Sequence, residues 1–257
     1  KTLAVIPTTV ASDAACTNVC IHYSDDCSQV INADIFHKGP DIVYVYSTII
    51  AEAPMRQLAS GIGDALATYY EAHTCRSNGV EQYGNLNITY TAVELSRICR
   101  DILLKYGEHA AIACENNIVT PALENVIEAC AMLSGVGGLN SGCAGAHGFG
   151  DFLSSLPGGH GYMHGERVAI GLIMQLILED YPAQEIEEII RYCVQIGLPT
   201  SIKDMGYSDL NAVADKIAES TADDFFIGHM NNIDHSRGAI KGAVLTAVAL
   251  SDKVKSC

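Results

Sequence analysis

The hydrophobic pattern of the chain changes once, near residue 50, and this change limits what the chain can fold into. Before that point, short apolar and β-branched runs predict strands: TLAVIPTT, NVCIHYS, SQVINAD and DIVYVYST. After it, apolar residues recur at three- and four-residue steps over long stretches, which predicts helices. The sequence therefore predicts an α+β, mainly α protein, with a small β-rich part over residues 1–50 and an all-helical domain over residues 51–257.

The β-rich part is too small to form a sheet with both faces covered. NVCIHYS and SQVINAD flank a turn and predict a hairpin, but three or four strands cannot bury two sheet faces without helices. We therefore expect an α/β portion upstream of this sequence. Because exposed strand edges recruit other strands, we expect residues 1 to about 50 to be mobile or paired with another chain, and the protein to be a homo-oligomer.

Charge and composition argue against several partners. The 257 residues are 49% hydrophobic and carry a formal net charge of −15, a field that repels nucleic acid and anionic membranes. We expect no apolar run of the roughly 18 to 20 residues that a transmembrane helix needs. The ten cysteines form no CxxC pair, and several lie in apolar helical runs, which favours a reducing, cytoplasmic location.

Histidines set among glycines mark residues 139–171. His147 and His164 are too far apart in this segment to lie on one helix face, so they must come from different elements if they meet. Asp64 follows Gly-Ile-Gly and enters an Ala-rich helix, where a carboxylate is costly to bury unless it is paired or binds metal. One Asp and two His have the chemistry of a catalytic zinc site. Taken singly, Asp64 is equally a candidate helix N-cap, and each histidine a hydrogen-bonded core residue.

Asp13 lies in PTTVASDAACTNV, a strand-to-loop stretch rich in hydroxyl side chains. Small hydroxyls and exposed backbone N–H groups beyond a strand end suit a nucleotide or a polyol. An ordinary turn stabilised by Asp, Ser and Thr side chains explains the same residues. The composition of this stretch leaves both alternatives open.

Several motifs in order strongly resemble one family. PTTVASDAACTNVCIHY, GIGDALATYYEA, VTPALENVIEACAMLSGVG, SGCAGAHGFGD and HGERVAIGLIMQLILE are similar to the glycerol dehydrogenase branch of the metal-dependent (group III, iron-containing) alcohol dehydrogenase family. The resemblance runs from residue 3 to about residue 200 and more loosely to the end. It implies that residues 1–50 are the last strands of an α/β nucleotide-binding domain, followed by a helical metal-binding domain, with the active site in the cleft between them.

The resemblance also implies roles for individual residues. Asp64, His147 and His164 match the family's zinc ligands, which also face the substrate hydroxyls. Asp13 matches a catalytic aspartate that contacts substrate beside the nicotinamide. The positions that line the NAD cofactor are matched by Thr8, Thr17, Val19 and Tyr23. The implied reaction is the zinc-dependent oxidation of glycerol to dihydroxyacetone with NAD.

The chain departs from the family pattern at several points. Thr68 stands where iron-type members carry a further histidine ligand, which favours the zinc branch. Gly150 replaces a second family histidine near the nicotinamide, and GGLNSG replaces GFESGG. The family's GGGK loop, which cradles the cofactor phosphates, lies upstream of residue 1, so we expect this chain alone to bind NAD weakly. Two alternatives to a glycerol dehydrogenase stay open: a catalytically silent helical zinc-binding or assembly module, and a related dehydrogenase for another small alcohol or a phosphorylated polyol.

Overall fold

The computed structural model describes residues 2–25, 30–82 and 86–256. Its strands are β1 (Ala4–Val5), β2 (Val19–Tyr23), β3 (Val30–Ile35), β4 (Ile42–Val43), β5 (Glu81–Gln82) and β6 (Leu86–Asn87). Its α-helices are α1 (Ser47–Ala51), α2 (Met55–Ser77), α3 (Tyr90–Glu115), α4 (Pro121–Glu128), α5 (Gly135–Leu139), α6 (Gly145–Ser155), α7 (His164–Leu178), α8 (Ala183–Gln195), α9 (Leu210–Thr221) and α10 (Arg237–Lys255). The predicted mainly α fold with a small β part is confirmed, and the division into two domains stays a prediction.

The strands form three separate pairs in the described residues. β2 and β3 are antiparallel, with Val19 opposite Ile35, which confirms the predicted strand pairing. The predicted turn between them lies largely outside the described residues. β1 and β4 are parallel, with Ala4 opposite Ile42. Both are much shorter than the apolar runs that predicted them, because each strand has one neighbour and a lone parallel pair holds few residues in register.

The helical core is built around α2 and α7. α2 packs against α3 and α7, and α6 also packs against α7. Nearly every side chain of α7 from Gly165 to Leu176 is buried, and α2 is buried over most of its length. A helix that is apolar on all sides must lie in the interior. α2 carries Asp64, α7 carries His164, and α6, which packs on α7, carries His147, so the predicted metal ligands lie at the centre of the helical part.

Two glycines let the backbone approach α2 closely. A Cβ added to Gly165, at the start of α7, would lie 1.7 Å from the carbonyl oxygen of Ser60. A Cβ added to Gly61 would lie 1.7 Å from the carbonyl oxygen of Val10, in the segment that follows β1. Only glycine permits both contacts, so α7 and the N-terminal segment can both lie directly against α2 near Asp64.

The stretch Pro121–Leu139 corrects the expectation that no apolar run is long enough to cross a membrane. Within its 19 residues, a window of 18 has a mean hydropathy of 1.2, and 56% of that window is buried inside the protein. Buried core helices of soluble proteins meet the same criterion, so length and composition assign it no membrane role. Thr120 caps its first turn, and Pro121 is the first helical residue. Between α4 and α5, Ala129–Ser134 forms a π-helical turn.

Candidate metal centre

Three side chains from three helices converge at the centre of the helical domain. Asp64 lies in the interior of α2, His147 lies in the first turn of α6, and His164 is the first residue of α7. The Asp64 Oδ1 atom lies 3.4 Å from Nε2 of His147 and 3.3 Å from Nε2 of His164. The helix N-cap alternative for Asp64 is therefore wrong, and the three predicted ligands are brought together.

The donor set fits a divalent metal ion. One carboxylate oxygen and two imidazole nitrogens all lie within 4.8 Å of one another, and these are the ligand types of catalytic zinc sites. The Asp64 side chain is 4% exposed, whereas that of His164 is 31% exposed, so the cluster is closed on one side and accessible on the other. Burial alone would raise the pKa of Asp64, but the charge of His164 and hydrogen bonds from both imidazoles hold that pKa well below its usual range.

Asp13 lies beside this cluster. Its backbone N–H donates a hydrogen bond to Asp64 Oδ2 at 3.3 Å, and its own Oδ2 accepts one from the Ser134 hydroxyl at 2.9 Å. Ser134 also contacts the Thr68 hydroxyl at 2.8 Å. Burial, and then the nearby charge of Asp64, raise the pKa of Asp13 to about 6. The predicted catalytic carboxylate is thus held next to the predicted metal ligands.

Thr68 has a defined contact in place of a metal-ligand role. It lies on α2 one turn after Asp64, and its hydroxyl hydrogen-bonds Ser134. From the sequence, Thr68 was distinguished only by not being a histidine. Its hydroxyl joins a hydrogen-bonded chain that runs through Ser134 to Asp13.

Glu71 was missed by the sequence analysis. Its carboxylate lies 2.6 Å from Nδ1 of His147 and accepts hydrogen bonds from the backbone N–H groups of Ala144 and His147. Glu71 lies seven residues after Asp64, two helical turns further along the same face of α2. A second carboxylate on the face that carries Asp64, in a helix otherwise poor in charge, was the signal that could have identified it.

The four predicted cofactor positions lie along the N-terminal segment. Thr8 is exposed in the segment after β1. The Thr17 hydroxyl donates to the carbonyl oxygen of Ala14 at 3.1 Å. Val19 and Tyr23 are the first and last residues of β2, and the Tyr23 side chain lies outside the described part of the structure. Their contact with a cofactor stays a prediction.

Close packing around position 150 explains why a glycine is found there. A Cβ at Gly150 would lie 3.1 Å from the Cα atom of Val168 in α7, so α6 and α7 pack directly at this point. An imidazole at this position requires the two helices to move apart. The next residue, Asp151, places its carboxylate 3.9 Å from Nδ1 of His164, on the exposed side of the cluster.

Comparison with known proteins agrees with this fold. No protein-family model matches the chain. A solved iron-containing alcohol dehydrogenase shares the fold at a TM-score of 0.67 with 16% identity, over 96% of this chain and 63% of the other. At this identity the similarity shows the fold alone.

Two further comparisons are more specific. The glycerol dehydrogenase of Citrobacter freundii is 34% identical over 97% of this chain and 68% of its own length. The crystal structure of a probable glycerol dehydrogenase from Sinorhizobium meliloti is 36% identical with a TM-score of 0.90, over 99% of this chain and 71% of the other. The chain belongs to the glycerol dehydrogenase family. It spans 54% to 68% of the length of four curated members that it matches.

Proposed function

We propose that this chain forms the metal-binding and substrate-binding part of a zinc- and NAD-dependent polyol dehydrogenase that oxidises glycerol to dihydroxyacetone. The observation that carries the proposal is the convergence of Asp64, His147 and His164, with Asp13 hydrogen-bonded directly to Asp64. Identity to curated glycerol dehydrogenases supports the substrate class, a small-molecule alcohol. A homo-oligomer in the cytoplasm is the setting that we infer for the complete enzyme.

Each residue of the site has a separate task in this mechanism. Bound zinc would supply a Lewis acid that lowers the pKa of an alcohol hydroxyl. Asp64 and the two histidines would hold it, and the exposure of His164 leaves a side open for substrate. Asp13 would accept a hydrogen bond from a second substrate hydroxyl, with its carboxylate held in place by Ser134.

The residue type at position 68 supports zinc over iron. Thr68 stands where iron-type members carry a further histidine ligand, and its hydroxyl contacts Ser134 instead. NAD would be held along Thr8, Thr17, Val19 and Tyr23, with its phosphates bound by a loop outside this sequence. Because that loop would supply backbone N–H groups to the phosphates, hydride transfer is proposed for the longer protein.

The test is metal analysis of the purified chain beside an assay of the longer protein. We expect about one zinc per chain, held by the set of Asp64, His147 and His164, and its loss in Asp64→Ala and His164→Ala. Undiminished zinc in both variants contradicts the assignment of the site. NADH formation with glycerol by the longer protein supports the enzyme.

A second candidate function is a silent helical zinc-binding or assembly module, which is favoured by Gly150, because the close packing of α6 on α7 leaves no room there for the family histidine. If this candidate is right, the purified chain retains zinc and the longer protein forms no NADH with glycerol. Equal NADH formation with glycerol and with a phosphorylated polyol would instead contradict glycerol as the preferred substrate.

A further inference from the structure

Glu71 is among the most completely buried carboxylates of the described chain, with 1% of its surface exposed. It projects from α2 toward the start of α6, where a helix has backbone N–H groups without partners inside the helix. A buried carboxylate is stable only where it is fully hydrogen-bonded. The contacts of its two oxygens therefore indicate what Glu71 does.

The two carboxylate oxygens have different partners. Oε1 accepts hydrogen bonds from the backbone N–H groups of Ala144 at 2.7 Å and His147 at 2.9 Å. Oε2 lies 2.6 Å from the Nδ1 atom of the His147 ring. Backbone N–H groups can only donate, so Oε1 accepts both of these bonds. A carboxylate oxygen is likewise an acceptor at Oε2, so the short contact there places a proton on Nδ1 of His147.

A proton on Nδ1 determines what the other ring nitrogen can do. A neutral imidazole carries one proton, so Nε2 then holds a lone pair, and this atom faces the Asp64 carboxylate at 3.4 Å. Metal-binding histidines are oriented by a partner on the other ring nitrogen, and that partner affects metal affinity. We propose that Glu71 is a positioning residue that fixes the Nδ1-protonated tautomer of His147 and so directs its Nε2 lone pair to the metal. The proposal rests on the metal site of the proposed function.

A competing use of the same atoms is a metal site that includes Cys143. Ligand atoms of Glu71, Cys143 and His147 also lie within 4.8 Å of one another. A metal there would need a lone pair on Nδ1 and would remove His147 from the cluster with Asp64. The backbone donors on Oε1 and the short contact at Oε2 already use the carboxylate of Glu71, so the positioning role fits the contacts better.

Two substitutions at position 71 separate tautomer control from simple packing. Glu71→Gln keeps the shape and leaves an amide oxygen for the two backbone N–H groups, but its amide nitrogen then donates to Nδ1 and favours the wrong tautomer. Glu71→Met leaves the backbone donors unpaired yet imposes no tautomer. The glutamine variant should therefore be the more stable of the two and the poorer metal binder. A purely structural role predicts the same order for stability and for metal affinity.

The experiment measures Co²⁺ affinity of the apo protein by the visible absorption of the bound ion, with thermal unfolding of each metal-free variant beside it. Glu179→Gln is the matched control, because this carboxylate of the α2–α7 layer accepts its hydrogen bonds from Thr74 and Gln175. We expect Glu71→Gln to lose about ten- to a hundredfold in Co²⁺ affinity, the usual effect of removing such a partner, and the control to stay within about threefold.

The outcomes distinguish this proposal from the proposed function. Glu71→Gln binding Co²⁺ as tightly as the unaltered chain, or more tightly than Glu71→Met, overturns the positioning role and leaves the metal site intact. Failure of the unaltered chain to bind Co²⁺ or Zn²⁺ overturns the metal site itself. Should Glu71→Met fail to fold, the comparison of Glu71→Gln with Glu179→Gln still decides the question. Loss of affinity after Cys143→Ala equal to that after Glu71→Gln would favour the competing site.

Discussion

Gly165→Ala tests whether the close approach of α7 to α2 holds the metal centre together. The added Cβ would lie 1.7 Å from the carbonyl oxygen of Ser60 and 2.9 Å from the backbone nitrogen of Asp64. Ordinary contact begins at 3.4 Å, so α7 must retreat by roughly 1.7 Å. The same shift weakens the hydrogen bond from the Gly165 N–H to the Ser60 hydroxyl, which is 3.2 Å long.

The expected effects on stability and on metal binding follow from that displacement. Overpacking costs about 1–3 kcal/mol, and a clash with backbone belongs at the upper end, while replacing a helical glycine returns up to about 1 kcal/mol. The net loss of about 2 kcal/mol corresponds to a melting temperature lower by about 4–8 °C. Because metal–ligand distances vary by only about 0.2 Å, the displaced His164 should no longer share an ion with Asp64.

The assay is differential scanning calorimetry with zinc analysis, and Gly161→Ala is the matched control. Gly161 lies just before α7, and a Cβ there meets nothing within 4 Å. We expect the control to stay within about 0.5 kcal/mol of the unaltered protein and to keep its zinc. If Gly165→Ala melts and binds zinc like this control, the close approach does not position the ligands.

Two other substitutions test the supports around the site. Ser134→Ala removes the hydroxyl that donates to Asp13 and should lower the free energy of unfolding, measured in urea, by about 1–3 kcal/mol. Ser141→Ala is the control, because the Ser141 hydroxyl donates to the carbonyl oxygen of Gly137 in the preceding helix. An equal loss in both variants would contradict a special role for Ser134. Arg56→Met removes the two-pronged ion pair with Glu166, whose side chain is 6% exposed and caps α7. We expect a lower melting temperature that depends less on added salt, and a salt dependence like that of the unaltered protein would refute this.

The sequence predicted the parts of the fold that depend on local patterns. The hairpin of β2 and β3 follows from two apolar runs around a turn, and the start of α4 follows from Thr120 and Pro121. The parallel pairing of β1 with β4 has no local signal, because it joins segments that are far apart along the chain. The apolar stretch Pro121–Leu139 was missed because Glu124 and Glu128 interrupt it without lowering its mean hydropathy enough.

The candidate site was predictable only in part, because its residues contact each other across the fold and not along the chain. Asp64, His147 and His164 were each ambiguous alone, and it was the order of the family-like motifs that selected them. Glu71 and Ser134 were missed because their importance lies in the partners they meet across the fold. Helical periodicity places a residue on a face, but it does not say which atoms of another helix lie opposite.

The π-helical turn at Ala129–Ser134 makes the centre depend on the register of a helix as well as on residue types. Such a turn accommodates one residue more than an α-helical turn, and each residue of an α-helix rotates the next by about 100°. Insertion of one further residue into this turn would therefore rotate the Ser134 hydroxyl away from Asp13 and bring a larger side chain toward the site of Gly135. At that position even a Cβ would lie 2.8 Å from the carbonyl oxygen of Asp13. A single-residue insertion outside the segments that carry the metal ligands would thus disrupt the site while leaving every ligand residue unchanged.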